Sequence, residues 1–484
     1  MVFSSPIFLF LFLPVVLTGY FFMPGLRLKN CWLLGFSLLF YAWGEPIFIF
    51  LALISTLMNY YLGRWVDRTE DPARRKHAVA LAVTLNIGLL AFFKYANFAA
   101  DNLNALLARL NIHPPAMPRI LLPIGISFFT FHALSYVMDI YRRKWPSAKS
   151  PADVALYIFF FPQLIAGPIL RWNGIAPQLT QRGVTAENFA EGIRRFVGGL
   201  AKKMIVANVV AVSADQIFGL PPNELSPALA WLGALCYAVQ IYFDFSGYSD
   251  MAVGLGKMFG FVFLENFNFP YIAQSVQDFW RRWHISLSTW FRDYLYIPLG
   301  GNRCSEPRNY FNLVIVFFLC GLWHGASWTF VIWGLYHGIF LVLERTRFGG
   351  LMERLPRPFR HLYALVVVLV GWVLFRAETF PQAVTFLTTM SGLGQKAVDA
   401  QPLARYLSHQ VAWAIGLGIF FSTPVWGALK NQLAKTSAAW PERVRVGGLA
   451  FGLVLETVLL VALLLISAAW LAGGTYNPFI YYRF

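Results

Sequence analysis

Charge is what this chain has least of. Only 13% of its 484 residues are charged, against about 25% in an ordinary soluble domain. That shortage excludes a solvated globule of usual composition. Acids are scarcer than bases, 23 against 39, which leaves a formal net charge of +16. Cysteine is also rare. Cys31, Cys236, Cys304 and Cys320 show no C-x-x-C or metal-ligand spacing, so neither a disulfide framework nor a structural zinc site is expected. Cys31, Cys236 and Cys320 stand in apolar runs, where a small buried hydrophobe is the expected role. No period of 20–50 residues repeats, which excludes a solenoid, and no Ser/Pro-rich linker divides the chain. No G-x-G-x-x-G or Walker pattern occurs, so no nucleotide-binding fold is implied. Residues 1–17 lack the basic start and small-residue cleavage site of a signal peptide and read as a retained first helix.

What fills the chain is apolar sequence. Hydrophobic residues make up 58% of it, and mean hydropathy is +0.56. Apolar runs recur at 6–20, 31–43, 47–62, 79–93, 121–140, 154–170, 229–243, 311–322, 328–343, 362–375, 411–426 and 447–471. A span needs roughly 20 apolar residues. The pattern therefore predicts an all-α polytopic membrane protein of roughly ten to twelve spans, the shorter runs being re-entrant or paired half-helices. Barrel strands are excluded because the runs are long and do not alternate in polarity. The basic residues cluster in loops: Arg74-Arg75-Lys76, Arg142-Arg143-Lys144, Arg194-Arg195, Lys202-Lys203 and 354–360. Such loops mark a cytoplasmic face and attract anionic lipid, which accounts for the charge without nucleic acid.

One domain over 1–484 is expected, in three parts: N-terminal spans at 1–115, a catalytic core at 120–345 and C-terminal spans at 360–484. The core is dense in Gly, Pro and embedded polar residues. Pro123-Ile124-Gly125, Pro162 and Gly167-Pro168 would break helices at membrane depth, which is tolerated where protein or a cavity covers the backbone.

Four motifs in the core could carry chemistry. In 240–250, Asp244 could cap a helix beginning near Ser246 and Asp250 could sit at the interface; alternatively both pair with arginines or orient a histidine. In 278–293, His284 on a helix would face Trp280 and Ser288. Arg281, Arg282 and Arg292 around it could meet phosphates of a cofactor, or the segment could lie as a basic interfacial helix. Residues 294–303 read as a helix stop followed by a Gly-Gly-Asn turn. In Leu322-Trp323-His324-Gly325, an ionisable imidazole stands in nearly uncharged sequence, where only a cavity or a partner makes it affordable. His337, if one helix ran on from His324, would lie about 20 Å away along the axis, and packing is its expected role. His132 reads as a satisfied buried polar residue, and His77, His113, His361 and His409 are given no role.

These motifs resemble the membrane-bound O-acyltransferases, within them the bacterial alginate O-acetyltransferase type. Further matches are Phe93-Lys94-Tyr95-Ala96-Asn97-Phe98, Leu122-Pro123-Ile124-Gly125, Leu164-Ile165-Ala166-Gly167-Pro168, Tyr242-Phe243-Asp244-Phe245-Ser246-Gly247 and the C-terminal 477–484. The resemblance implies a bowl of helices with a central tunnel. It places the family's near-invariant histidine on His324 and a second active-site position, Asn or His, on His284. It further implies acetyl-CoA as cytoplasmic donor, with no permanently bound cofactor or metal. A periplasmic SGNH-type acetyltransferase and a polysaccharide (alginate, cellulose or peptidoglycan) are the implied partners in a bacterial inner membrane. D-alanyl transfer to teichoic acid from a carrier protein is the alternative within the class. A polysaccharide or lipid transporter is disfavoured, because the broken, histidine-bearing segments at 280–340 have no counterpart in 40–100.

Overall fold

The computed structural model describes residues 2–112, 118–394, 397–438, 441–474 and 476–478, so His113 and most of the C-terminal motif lie outside the described residues. Helices make up the architecture, and no strand occurs among the described residues. In chain order they are α1 (Phe8–Phe22), α2 (Gly25–Gly44), α3 (Phe48–Arg68), α4 (Pro72–Arg109), α5 (Ile126–Tyr141), α6 (Pro151–Phe159), α7 (Trp172–Thr180) and α8 (Ala186–Phe218, with a π-helical turn at Lys202–Ala207). Then come α9 (Pro227–Met258), α10 (Val276–Arg282), α11 (Ile285–Phe291), α12 (Glu306–His324), α13 (Trp328–Leu343), α14 (Arg357–Arg376), α15 (Phe380–Met390), α16 (His409–Phe421), α17 (Val425–Ala438) and α18 (Glu442–Ala472).

Helix starts follow the sequence closely. Asp71 accepts from the Ala73 and Arg74 amides with Pro72 at the first helical position of α4; Ser226 and Pro227 open α9 in the same way. Among the described residues, five helices (α4, α8, α9, α14, α18) are long and apolar enough to cross a membrane, and α16 with α17, bent by 59°, adds a sixth if counted as one span. The chain thus crosses with fewer long helices than it has apolar runs. The run at 121–140 becomes helical only at Ile126, after Gly125 (φ +78°), and the run at 154–170 is broken beyond Phe159. Short apolar pieces buried inside the protein replace whole spans there.

The core centres on α9, whose apolar stretch is 83% buried, while that of α18 is wholly on the outside. Glycines allow the closest approach. A Cβ on Gly192 would stand 2.7 Å from the Gly254 carbonyl, and one on Gly247 2.7 Å from the Gly199 carbonyl, so α8 and α9 meet backbone to backbone.

Two expectations change. Asp244 caps nothing: it sits in the middle of the unbroken α9, where its carboxylate pairs with Lys203 (2.5 Å). Asp250 takes the second of its two expected roles, pairing with Arg195 (2.7 Å) and also with Lys202 (2.6 Å). Both pair with α8, so the unbroken α9 depends on these charges being met across the helix contact. Cys31 is exposed on the outer surface rather than buried; Cys236 and Cys320 are buried as expected.

Candidate active site

α12 and α13 form an antiparallel hairpin whose tip carries His324. Gly321 and Gly334 make the close packing possible, the Cα of one lying 3.1–3.2 Å from where a Cβ on the other would stand. The helix stops at His324 because Gly325 takes an extended backbone (φ −167°, ψ 152°). The last carbonyls of a helix need partners at membrane depth. Here α4 supplies them: the Tyr95 hydroxyl donates to the Leu322 carbonyl (2.8 Å), and the Lys94 ammonium lies against the Trp323 carbonyl and 3.4 Å from that of His324. Ser127 Oγ is also 3.4 Å from Lys94 Nζ. The His324 ring packs edge-on against Trp323, Trp333 and Phe375, with centroids at 4.9, 5.1 and 5.3 Å.

His284 arrives by a different break. Residues 278–293 are not one helix: His284 adopts a left-handed backbone (φ 44°, ψ 54°) between α10 and α11, so it does not stack over Trp280 and Ser288. A non-glycine residue there is strained, Asn being among those that tolerate it best. That matches a position where the resemblance gives Asn or His. The strained residue is held from the loop before α10. Asn266 O accepts the Ile285 amide (2.9 Å), and Asn266 Oδ1 accepts both the Ser286 amide (3.1 Å) and its hydroxyl (2.8 Å). Ser286 Oγ accepts the Ile169 amide in turn (3.0 Å). The His284 ring is buried, stands edge-on to Phe245 (4.6 Å) and packs on Trp323 (6.2 Å). Neither of its nitrogens has a hydrogen-bond partner among the described residues. Both imidazoles therefore flank one indole, that of Trp323.

His337 is closer than a continuous helix would allow. The break after His324 folds α13 back, and His337 packs on Trp333 (5.2 Å), the ring that His324 also touches. The 20 Å separation is therefore overturned. His337 also packs on Trp280 (5.1 Å), and the bare Gly371 leaves room for its Nε2. His132 lies outside the cluster and accepts the Leu170 amide at Nε2 (3.3 Å).

Two cavities of about 410 Å³ each adjoin α12. One is lined by Lys94, Pro123, Gly125, Ser127, Trp323 and His324; the broken backbone at 123–125 does line a cavity, as its composition required. The other is lined by Arg281, Arg292, Arg345, Ser288 and Tyr296, with Phe317 and Cys320 of α12. One helical turn of α12 separates Cys320 in the second cavity from His324 in the first. Arg282 is absent from both: it pairs with Asp278 (2.8 Å) and reaches the Asn268 carbonyl (3.3 Å). The second cavity lies at the basic end of the molecule. Arg142 donates to the Asp293 carbonyl (2.9 Å), Arg75 to that of Ile140 (2.9 Å), and Arg171 pairs with the Asp293 carboxylate (2.6 Å). Burial works against the Asp293 charge, yet Arg292 and Arg171 hold its carboxyl below the usual range. The first cavity lies at the start of α5, whose 16 residues run about 24 Å from Ile126 to the basic loop at Arg142.

Sequence reasoning missed Lys94 and Arg345. Lys94 borders the apolar run 79–93, and the argument used for His324, an ionisable group in apolar sequence, would have found it. Arg345 carries no such signal.

The profile of the MBOAT, membrane-bound O-acyltransferase family, matches residues 112–378, more than half of the chain and including both His284 and His324. This chain belongs to the membrane-bound O-acyltransferase family. It is a multi-pass membrane acyltransferase. Over their full lengths it is 42% identical to proteins named "Probable alginate O-acetylase" in Azotobacter vinelandii and in Pseudomonas putida. It is 38% identical to the peptidoglycan O-acetyltransferase of Helicobacter pylori, covering 81% of this chain and 80% of that one. The family profile begins after Lys94, so the lysine that touches the end of the His324 helix lies outside the matched segment.

Proposed function

We propose that this acyltransferase takes an acetyl group from cytoplasmic acetyl-CoA and passes it across the bacterial inner membrane for O-acetylation of an alginate-like exopolysaccharide, through a periplasmic SGNH-type acetyltransferase. The observation that carries the reading is the pair of cavities on either side of one helical turn of α12, one of them lined by His324. The basic end is the cytoplasmic one by the excess of Lys and Arg in its short loops. Arg281, Arg292 and Arg345 line this cavity and suit the phosphates of the donor, Arg292 while also pairing with Asp293; Arg282 lies outside it, on Asp278. The acetyl carbonyl then lies near Trp323. An acceptor hydroxyl entering from the opposite cavity attacks it, and His324 accepts the hydroxyl proton as general base. The thiolate of CoA leaves and takes that proton back from His324. His284, which also packs on Trp323, orients the reactants at the carbonyl oxygen.

The test is acetyl transfer by membrane vesicles of defined orientation. Acetyl-CoA supplied on the basic face should support His324-dependent acetylation, and acetyl-CoA on the opposite face should not. Equal transfer from both sides, or transfer unaffected by His324→Ala, would overturn the reading.

A further inference from the structure

Two lysines are buried among the described residues, and they are treated oppositely. Lys203, 3% exposed, is paired with the Asp244 carboxylate. Lys94, 7% exposed, has neutral oxygens around its ammonium, the Trp323 and His324 carbonyls and the Ser127 hydroxyl, and the Trp323 ring 5.8 Å away. No carboxylate pairs with it among the described residues. A buried charge without a counter-charge is costly. The end of α12 offsets part of it, since the C-terminus of a helix carries about half a negative charge. The remainder faces the cavity that exposes His324. Capping alone does not require a cation, because Tyr95, the next residue, satisfies the Leu322 carbonyl with a neutral hydroxyl.

We propose that Lys94 is a catalytic residue whose ammonium stabilises the negative charge developing on the acetyl carbonyl oxygen during transfer. This rests on the acetyl-transfer reading above. As the acceptor oxygen bonds to the carbonyl carbon, its proton passes to His324 and the carbonyl π electrons move onto oxygen beside Lys94. Collapse restores the double bond and breaks the carbon–sulfur bond, and the departing thiolate takes the proton from His324. Lys94 acts in its protonated form and passes no proton in the step. The counter-charge that the resting protein lacks is thus supplied only in the transition state, where stabilisation raises kcat.

The purified full chain is assayed in lipid discs by release of CoA thiol from acetyl-CoA in the presence of the periplasmic SGNH-type acetyltransferase and an alginate oligosaccharide. Lys94→Gln keeps a donor for the Trp323 carbonyl but removes the charge. It should lower kcat about 100-fold, the usual cost of one such interaction, with KM for acetyl-CoA nearly unchanged. Lys94→Arg, which keeps the charge, should recover part of the loss. Tyr95→Phe, which removes a cap and no charge, should lower thermal stability and leave kcat near wild type. Should Lys94→Gln not fold, Lys94→Arg and Lys94→Met are compared in its place, and the charge-keeping variant should be the faster. Four results overturn the proposal: wild-type kcat in Lys94→Gln, a raised KM with kcat unchanged, no advantage of Arg over the neutral variants, or an equal kcat loss in Tyr95→Phe. An active His324→Ala, or a wild-type protein that releases no CoA, instead overturns the acetyl-transfer reading on which the proposal stands.

Discussion

The two breaks that deliver the histidines solve one problem by different means. At 324–328 the backbone stays in ordinary conformations, and the cost falls on the orphaned carbonyls of α12, which Tyr95 and Lys94 on another helix satisfy. At 282–285 few carbonyls are orphaned, and the cost falls on the left-handed conformation of His284, which Asn266 over-determines from a neighbouring loop. Both imidazoles end against Trp323. The first break is stabilised by partners remote in sequence, roughly 230 residues away; the second by partners about 20 residues away. A helix end inside a membrane demands new hydrogen bonds, whereas a strained residue demands only that its alternatives be blocked.

Variants at each break should separate them. The largest effect is expected for His324→Ala: a loss of about 10²–10⁴ in acetylation rate, the usual worth of a general base, at normal protein abundance. Wild-type acetyl content in a stably expressing strain would remove His324 from the chemistry. Next comes Asn266→Ala, which leaves Ser286 without its acceptor and frees the His284 backbone. It should lower activity about 10- to 100-fold and stability by about 1–3 kcal/mol. His284→Asn, suited to the same backbone, should stay folded and keep more activity than His284→Ala. The reverse order would mean that the imidazole matters and the left-handed geometry does not.

His337→Ala tests whether contact with Trp333 is packing or catalysis. A loss of about 2 kcal/mol in stability, with activity per folded molecule retained, is the expected result. A well-folded but inactive His337→Ala would enlarge the site to three imidazoles. The smallest effects belong to the arginines. Arg281→Gln and Arg292→Gln should raise KM for acetyl-CoA about tenfold and spare kcat, since phosphate contacts bind ground and transition states alike. Arg282→Gln should leave KM unchanged, because it lies outside the donor cavity, on Asp278 and Asn268. A KM effect from Arg282 equal to that of Arg281 would dissolve the assignment of the donor cavity.

Much of this was legible in composition. The scarcity of charge, the apolar runs and the helix-start signals before α4 and α9 needed no structure, because each depends on neighbours in the chain. His324 stood out because an imidazole in uncharged sequence is conspicuous wherever it folds. The errors share one cause. Asp244 read as a cap because Ser-Gly follows it, yet Lys203 meets its charge within an unbroken helix. His284 read as helical because 278–293 has no glycine or proline, yet Asn266 imposes a break. His337 read as distant only if 324–337 formed one continuous helix, whereas the chain turns back at Gly325.

The sequence alone determined that the chain is a helical membrane protein, and that His324 is an ionisable group in nearly uncharged sequence. These follow from local composition, which sets the cost of leaving lipid and of starting a helix. Tertiary structure decided which arginines share a cavity, that His337 and His324 touch one indole, and that Lys94 lies against the carbonyls that end the His324 helix. Each of these is a contact between segments far apart in the chain. Such contacts exist only once the close helix packing at Gly192, Gly247, Gly321 and Gly334 has fixed the distances between them.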